Sequence, residues 1–245
     1  MNLKNKVVLI TGSSSGIGRT IAQNFSLNGA KILIHFKNDN NGALSTLKEI
    51  KKHSSGKIYQ ADLSKLEEVK RMFSEIRKDF KKIDILVNNA GHIKEGDIFE
   101  NKIWQYEYEN IFLCNLYSTQ EFLKIPSKQQ RKIINISSIY GGLNTGSTEY
   151  LIYSVFKGAI NNLTVNLSRS LGNNVLVNAI SPGYTWTNIW KGISKKEKES
   201  YSKKTLIKRF IQPEEIAHIA RLLAENDAIT GQIINVDGGV SLINI

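Results

Sequence analysis

Thr11-Gly12-Ser13-Ser14-Ser15-Gly16-Ile17-Gly18 is the stretch whose reading decides the fold. An apolar run over residues 6–11 leads into it, and a helix-like run over 17–27, stopped by Asn28-Gly29, leads out. Glycines between a strand and the start of a helix let the backbone turn tightly and approach a pyrophosphate. The free N–H groups of the helix end then attract its charge. The spacing is G-x-x-x-G-x-G, not the G-x-G-x-x-G of the ordinary dinucleotide fingerprint. Alone, the string also suits a tight turn with no ligand. Gly12, Ser14, Gly16, Ile17 and Gly18 are the candidate phosphate contacts.

Outward from that turn, strand and helix patterns alternate. Strand-like runs recur over 31–36, 57–60, 83–87, 132–136, 175–180 and 232–236. Helical periodicity covers 43–52, 66–80, 104–123, 148–171 and 213–224, the last opening on Pro213 at its first position. Near-continuous apolar strands suit a parallel sheet buried on both faces. The expected class is therefore α/β: a doubly wound, seven-stranded parallel sheet, Rossmann-like, in a single domain over residues 1–245. Residues 188–208 are the one long polar segment that interrupts the rhythm.

The chain has 245 residues, enough to bury such a sheet. A single cysteine, Cys114, excludes a disulfide framework and a cysteine-rich zinc site, and with four scattered histidines no metal is expected. Cys114 reads as a small packing residue. No apolar run reaches the roughly 18 residues of a membrane span. The first strand begins too early for a signal peptide, so the expected setting is cytoplasmic, with no membrane partner.

Lys and Arg number 33 against 22 Asp and Glu, a formal charge of +11. The excess sits in two places. Residues 48–82 hold 11 basic and 6 acidic residues, and 191–209 hold 8 and 2. The first cluster lies opposite the apolar stripe Leu66, Val69, Met72, Phe73 and Ile76, as a solvated helix face would. Neither cluster is a basic stripe interleaved with aromatics, so nucleic acid is not an expected partner.

Further motifs follow in order. Asp62 stands in Ala61-Asp62-Leu63, and Asn88-Asn89-Ala90-Gly91 ends the fourth strand run. Asn115 lies in the long helix, and Ser137-Ser138 ends the fifth strand run. Tyr153-Ser154-Val155-Phe156-Lys157 is a Y-x-x-x-K. Pro182-Gly183 with Thr187, Thr230-Gly231-Gln232 and Val236-Asp237-Gly238-Gly239 complete the series. With the glycine turn, this series resembles the short-chain dehydrogenase/reductase family over nearly the whole chain.

The resemblance implies hydride transfer between a nicotinamide cofactor and a carbonyl or alcohol. Tyr153 would be the general acid or base. Lys157, four residues on and on the same helical face, would stabilise the phenolate and hold the nicotinamide ribose. Ser138 would polarise the carbonyl oxygen. Tyr150 is excluded as the acid because Ser154, not a lysine, stands four residues on. Asn115 would complete a tetrad by holding a water toward Lys157; the plainer alternative is a buried Asn bonding the helix backbone. Asp62 and Leu63 would meet the adenine, and Asn89, Ala90 and Gly91 its ribose. Pro182, Gly183, Thr185 and Thr187 would meet the carboxamide and phosphates.

Cofactor preference turns on the end of the second strand run. Phe36 stands where NAD-preferring relatives carry Asp, and Lys37 follows, able to pair with a 2′-phosphate, with Asn38 beside it. The second basic position of NADP users holds Ser15. NADP(H) is the expected cofactor.

The motif set looks most like bacterial 3-oxoacyl-[acyl-carrier-protein] reductases, which implies reduction of a β-keto thioester and a role in fatty-acid synthesis. Residues 184–210 fall where the family has its substrate lid. Its basic segment suits an acidic substrate or carrier protein, a coenzyme A ester or a nucleotide-sugar, and equally a solvated helix. Against the carrier protein, Gln129 and Asn174 stand where those reductases carry basic residues; Arg131, Lys132 and Arg169 are near but offset. A sugar, nucleotide-sugar or small ketone therefore stays open, with Tyr140, Tyr184, Trp186 and Trp190 expected at the pocket mouth. The loop 141–149 is longer than in many relatives. A non-catalytic NADP(H)-binding sensor is the reading of another class, which intact Ser138, Tyr153 and Lys157 argue against. Relatives are usually homotetramers, which here would pair 104–123, 148–171 and the apolar tail 240–245.

Overall fold

All seven expected strands form in a computed structural model of the chain, which describes residues 1–143 and 145–243. They are β1 (Val7–Ile10), β2 (Lys31–Phe36), β3 (Gly56–Gln60), β4 (Ile85–Asn88), β5 (Arg131–Ile136), β6 (Val175–Pro182) and β7 (Ile233–Val236). Every neighbouring pair is parallel, in the order β3-β2-β1-β4-β5-β6-β7. The period-2 alternation of a strand sends successive side chains to opposite faces. In β1, Val8 and Ile10 join a core with Ile21, Phe25 and Leu223. Val7 and Leu9 join a second core with Met72, Phe73 and Phe122. One face is covered by α1 (Gly16–Leu27), α2 (Asn40–Ile50) and α8 (Pro213–Glu225). The other is covered by α3 (Leu66–Phe80), α5 (Cys114–Lys124) and the C-terminal half of α6 (Leu151–Leu171). This is the Rossmann-like doubly wound sheet.

Strand order reverses between β1 and β4, and the loops there leave toward opposite faces. That opens a crevice at the C-terminal ends of the strands, the place where such sheets take ligands.

Three stretches differ from the sequence expectation. The helix over 104–123 begins earlier, as α4 (Asn101–Glu107), and widens into π-helical turns over Tyr108–Leu113 before continuing as α5. Such widenings re-aim side chains and recur at functional sites. The helix expected over 148–171 starts at Leu151, because Tyr150 bridges to Gly96 in the β4–α4 loop. The polar segment 188–208 holds a short 3₁₀ turn, Asn188–Trp190, and α7 (Lys195–Lys203). A Ser194–Glu197 capping box starts α7, and a Thr185–Ile211 bridge closes the base of the excursion. Asn144 of the 141–149 loop and residues 244–245 of the apolar tail lie outside the described residues. Among the described residues no helix is long and apolar enough to cross a membrane, and no acidic, His or Cys group could hold a metal.

Candidate active site

The glycine turn is fastened from three sides. The Thr11 hydroxyl accepts the backbone N–H groups of Asn89 (2.8 Å) and Ala90 (2.9 Å). Asn89 returns its side-chain amide to the carbonyls of Thr11 (2.9 Å) and Gly12 (3.2 Å). The end of β4 is thus tied to the turn after β1. Gly12 takes a φ of +63°, a conformation open to glycine. A Cβ on Gly18 would lie 2.5 Å from the Asn89 amide and 2.6 Å from the Gly12 carbonyl, so no side chain fits there.

His35 is the third anchor, and sequence reasoning missed it. Its Nδ1 accepts the Gly12 N–H at 3.0 Å, which leaves the proton on Nε2 to donate to the Ala61 carbonyl at 3.0 Å. Burial pushes its pKa down to about 4, so the ring stays neutral and can keep accepting. A lone histidine inside a buried strand gives no sequence signal for this role.

The N-terminus of α1 carries no side-chain cap, and its first turn holds no acidic residue. Its leading N–H groups are therefore open to an anion. A dinucleotide pyrophosphate fits this arrangement.

Ser138 follows β5. Its oxygen accepts the Tyr140 N–H at 3.2 Å, and the Tyr153 phenol lies beside it in the same cavity. Burial raises the pKa of that phenol above its ordinary value, and the neighbouring Ser138 hydroxyl pulls the other way. Lys157 is buried, donates from Nζ to the Ile136 carbonyl at 2.7 Å, and lies 5.5 Å from the centre of the Tyr153 ring. Burial brings its ammonium down to about 8.

Asn115 sits behind this pair. Its amide donates to Asn135 Oδ1 (3.2 Å), which also receives Asn88 (3.0 Å), while Asn135 donates to Thr164 (2.9 Å). The buried amides thus lock β4, β5, α5 and α6 together below the site. Cys114 donates to the Glu109 carbonyl, and burial pushes its thiol up to about 12, as suits a packing residue.

Two adjoining cavities, of about 600 and 400 Å³, share Gly12, Ser15, Asn89 and Gly91 and form one trough along the crevice. The larger is lined by Gly16, Ile17, Ser138, Tyr153, Lys157, Pro182, Gly183, Thr185 and Thr187. The smaller is lined by Ser14, Lys37, Asp62, Leu63 and Ala90. Of the candidate catalytic and cofactor residues, only Gly18 and Asn115 line neither cavity: one is the close approach beneath the turn, the other part of the amide network. At the far end Lys37 Nζ stands 2.8 Å from Asp62 Oδ2. That pairing raises the Lys37 pKa. Burial works against the Asp62 carboxylate, but its bonds from Lys37 and Ser64 outweigh it and leave the pKa low.

The opposite end is walled by Tyr140, Tyr150, Tyr184, Trp190 and Tyr201, with Glu95 and Glu197 among the lining. Trp190 makes edge-on contacts with Tyr201 (4.7 Å), Phe210 (5.0 Å) and Tyr184 (6.0 Å). Trp186 packs on Phe210 outside the cavity, beneath Lys198 at 4.0 Å. None of the eight bases of 191–209 lines the cavity, so the segment's charge is presented outward and not to a small substrate.

Two of the three offset bases are engaged within the fold, while Arg169 is exposed. Arg131 donates to the Phe122 and Ile125 carbonyls. Lys132, 1% exposed, pairs with Asp227 at 2.6 Å. Gln129 and Asn174 are exposed and uncharged.

Residues 12–241 match the family described as enoyl-(acyl carrier protein) reductase. The chain is 33% identical to a 3-oxoacyl-[acyl-carrier-protein] reductase of Aquifex aeolicus, covering 98% of this chain and 99% of the relative. It is 31% identical to that of Staphylococcus epidermidis, covering 96% and 99%. A Pseudomonas aeruginosa RhlG/NADP active-site complex superposes with a TM-score of 0.90 at 26% identity, over 98% of both chains.

Proposed function

Because the chain belongs to the short-chain dehydrogenase/reductase family and is an oxidoreductase, we propose that it reduces a carbonyl to an alcohol with NADP(H), using Tyr153 as general acid. The observation that carries this reading is the convergence of Ser138, Tyr153 and Lys157 on the cavity that the glycine turn also lines. When bound, the nicotinamide supplies the hydride. The Ser138 hydroxyl donates to the carbonyl oxygen and stabilises the charge that builds there. Tyr153 gives that oxygen its proton. Its raised pKa keeps the phenol protonated at neutral pH until the acceptor becomes basic. The Lys157 ammonium stabilises the phenolate left when the proton departs and is the group to hold the nicotinamide ribose. Asn115 acts through the amide network that positions α6.

The α1 N-terminus with Gly12, Ser14, Gly16 and Ile17 would hold the pyrophosphate. Asp62 and Leu63 would meet the adenine, and Asn89, Ala90 and Gly91 its ribose. Pro182, Gly183, Thr185 and Thr187 would stand across the trough. Lys37 with Asn38 is the candidate partner of a 2′-phosphate, which would compete with Asp62 for the ammonium.

For the substrate, identity of 31–33% to 3-oxoacyl-[acyl-carrier-protein] reductases supports a 3-oxoacyl thioester and a role in fatty-acid synthesis. The outward basic surface of residues 191–209 suits an acidic carrier protein. A second reading, a neutral ring or sugar ketone, is favoured by the aromatic wall with Glu95 and Glu197, and by the internal engagement of Arg131 and Lys132. NADPH oxidation with acetoacetyl-CoA, cyclic ketones and keto-sugars separates them. Turnover of the thioester supports the first, turnover of rings alone the second. Tight NADPH binding without turnover of any carbonyl overturns both in favour of a sensor.

A homotetramer is supported by a partly exposed aromatic strip on α4, the π-helical turns and α6. There Tyr108 stacks on Phe112 at 6.0 Å and touches Phe156, and Val155 is exposed. Sedimentation should return a four-chain mass; a monomer at micromolar concentration overturns this.

A further inference from the structure

Glu107, the last residue of α4, is a buried ionisable group that the reaction above does not use. It is 0% exposed. Its Oε1 accepts the Lys94 N–H at 2.7 Å, and its Oε2 is buried without a hydrogen-bond partner among the described residues. A carboxyl so enclosed either keeps its proton or stands by a positive charge.

The helix packed against α4 carries one, the buried Lys157. Ile111 stands four residues on from Glu107, in the π-helical turns. The Ile111 Cδ1 and the Lys157 Nζ lie 3.1 and 4.0 Å from the point a Cβ on Gly91 would occupy. The π-helical turns and α4 pack directly on α6, which carries Tyr153 and Lys157. The titratable groups around Glu107 are Lys94 in the β4–α4 loop, Tyr106 on α4, and Tyr153 and Lys157 on α6. The Lys94 ammonium is occupied, 3.6 Å over the Tyr106 ring. Burial pushes the Glu107 carboxyl up to about 7, opposed by the Lys94 N–H and then by the Lys157 and Lys94 charges. Burial likewise lowers Lys157, and the Glu107 carboxylate pulls it back up.

We propose that Glu107 is a positioning residue that keeps the Lys157 ammonium charged beside Tyr153, an inference that rests on reading Tyr153 and Lys157 as the reacting pair. Above neutrality Glu107 is ionised and sustains the ammonium. Without it, Lys157 keeps the Ile136 carbonyl but no buried counter-charge, and it sheds its proton at lower pH.

Two measurements test this. In the cofactor-free protein, carbon-13 NMR of the glutamate side-chain carboxyls should show one titrating near 7. Its midpoint should rise by about one unit or more in Lys157→Met, where the opposing charge is gone. A midpoint unmoved by Lys157→Met overturns the inference. In the enzyme, Glu107→Gln keeps an oxygen for the Lys94 N–H but removes the charge. The alkaline limb of kcat/KM for carbonyl reduction should then move down by about one pH unit, roughly tenfold less activity at pH 9, while NADPH affinity at pH 6 is unchanged. Glu107→Asp should restore the wild-type limb. An unshifted limb in Glu107→Gln also overturns the inference. Tyr153→Phe separates the two levels. If that variant is fully active, the parent reading fails. If it is inactive and the Glu107→Gln limb is unshifted, only the Glu107 assignment fails.

Discussion

The end of the trough beneath β1 and β4 is held by backbone atoms, and the end beneath residues 184–211 by aromatic rings. At the first, Asn89 and His35 bond main-chain groups of the turn, the Thr11 hydroxyl accepts the main-chain N–H groups of Asn89 and Ala90, and Gly18 leaves no room for a side chain. At the second, Tyr184, Trp190, Tyr201 and Phe210 pack edge to face on a segment joined at its base by one bridge. Hydrogen bonds to the backbone fix positions and tolerate few residues. Ring packing fixes a volume and tolerates many. The first construction suits a ligand common to many enzymes, the second a substrate that differs between them.

The sharpest way to break this contrast is through His35. Its pKa is about 4 in the fold against an ordinary 6.5, so the unfolded chain takes up more protons across that interval. The contribution of this group to stability is complete above pH 6.5 and falls as pH drops toward 4, by on the order of 3 kcal/mol. Thermal melting of wild type against His35→Asn should therefore show a gap that narrows on acidification. Glu107 titrates with the opposite sign over much of that range, but it is common to both proteins and cancels. A gap independent of pH would mean that the turn is not held by a neutral imidazole.

Next in size is Lys37→Asp. Loss of a charge-assisted contact and gain of a repulsive one should weaken NADPH relative to NADH by about 10- to 100-fold, read as the ratio of dissociation constants. An unchanged ratio would place the 2′-phosphate elsewhere. The smallest effect is expected at the aromatic end. Trp190→Ala removes three ring contacts and should raise KM for the carbonyl about tenfold, leaving NADPH affinity within about twofold. Equal losses for substrate and cofactor would erase the division between the two ends.

Legibility in the sequence follows the same division. The strands were readable because a sheet buried on both faces demands apolar runs such as those of β1, β5 and β6. The glycine turn was readable because its geometry admits almost nothing else. Ser138, Tyr153 and Lys157 were readable as a spaced set, and all three line one cavity. His35, Thr11, Asn135 and Glu107 were not. Each acts through a contact between segments far apart in the chain, and each residue type is ordinary at its local position. The direction of the charge on 191–209 was hidden for a related reason: composition counts lysines, but only the packing of α7 decides which way they point. The π-helical turns leave no trace in the hydrophobic period of 104–123, yet they bring Ile111 over Gly91.

The most direct measurement is the steady-state rate of NADPH-dependent carbonyl reduction by Tyr153→Phe, run beside wild type on the same substrate panel, with NADPH affinity measured on both. If Tyr153 is the general acid, kcat falls by roughly 10²- to 10⁴-fold while NADPH binds as before. Full activity in the variant would contradict the assignment of Tyr153 and, with it, the mechanism built around Ser138 and Lys157.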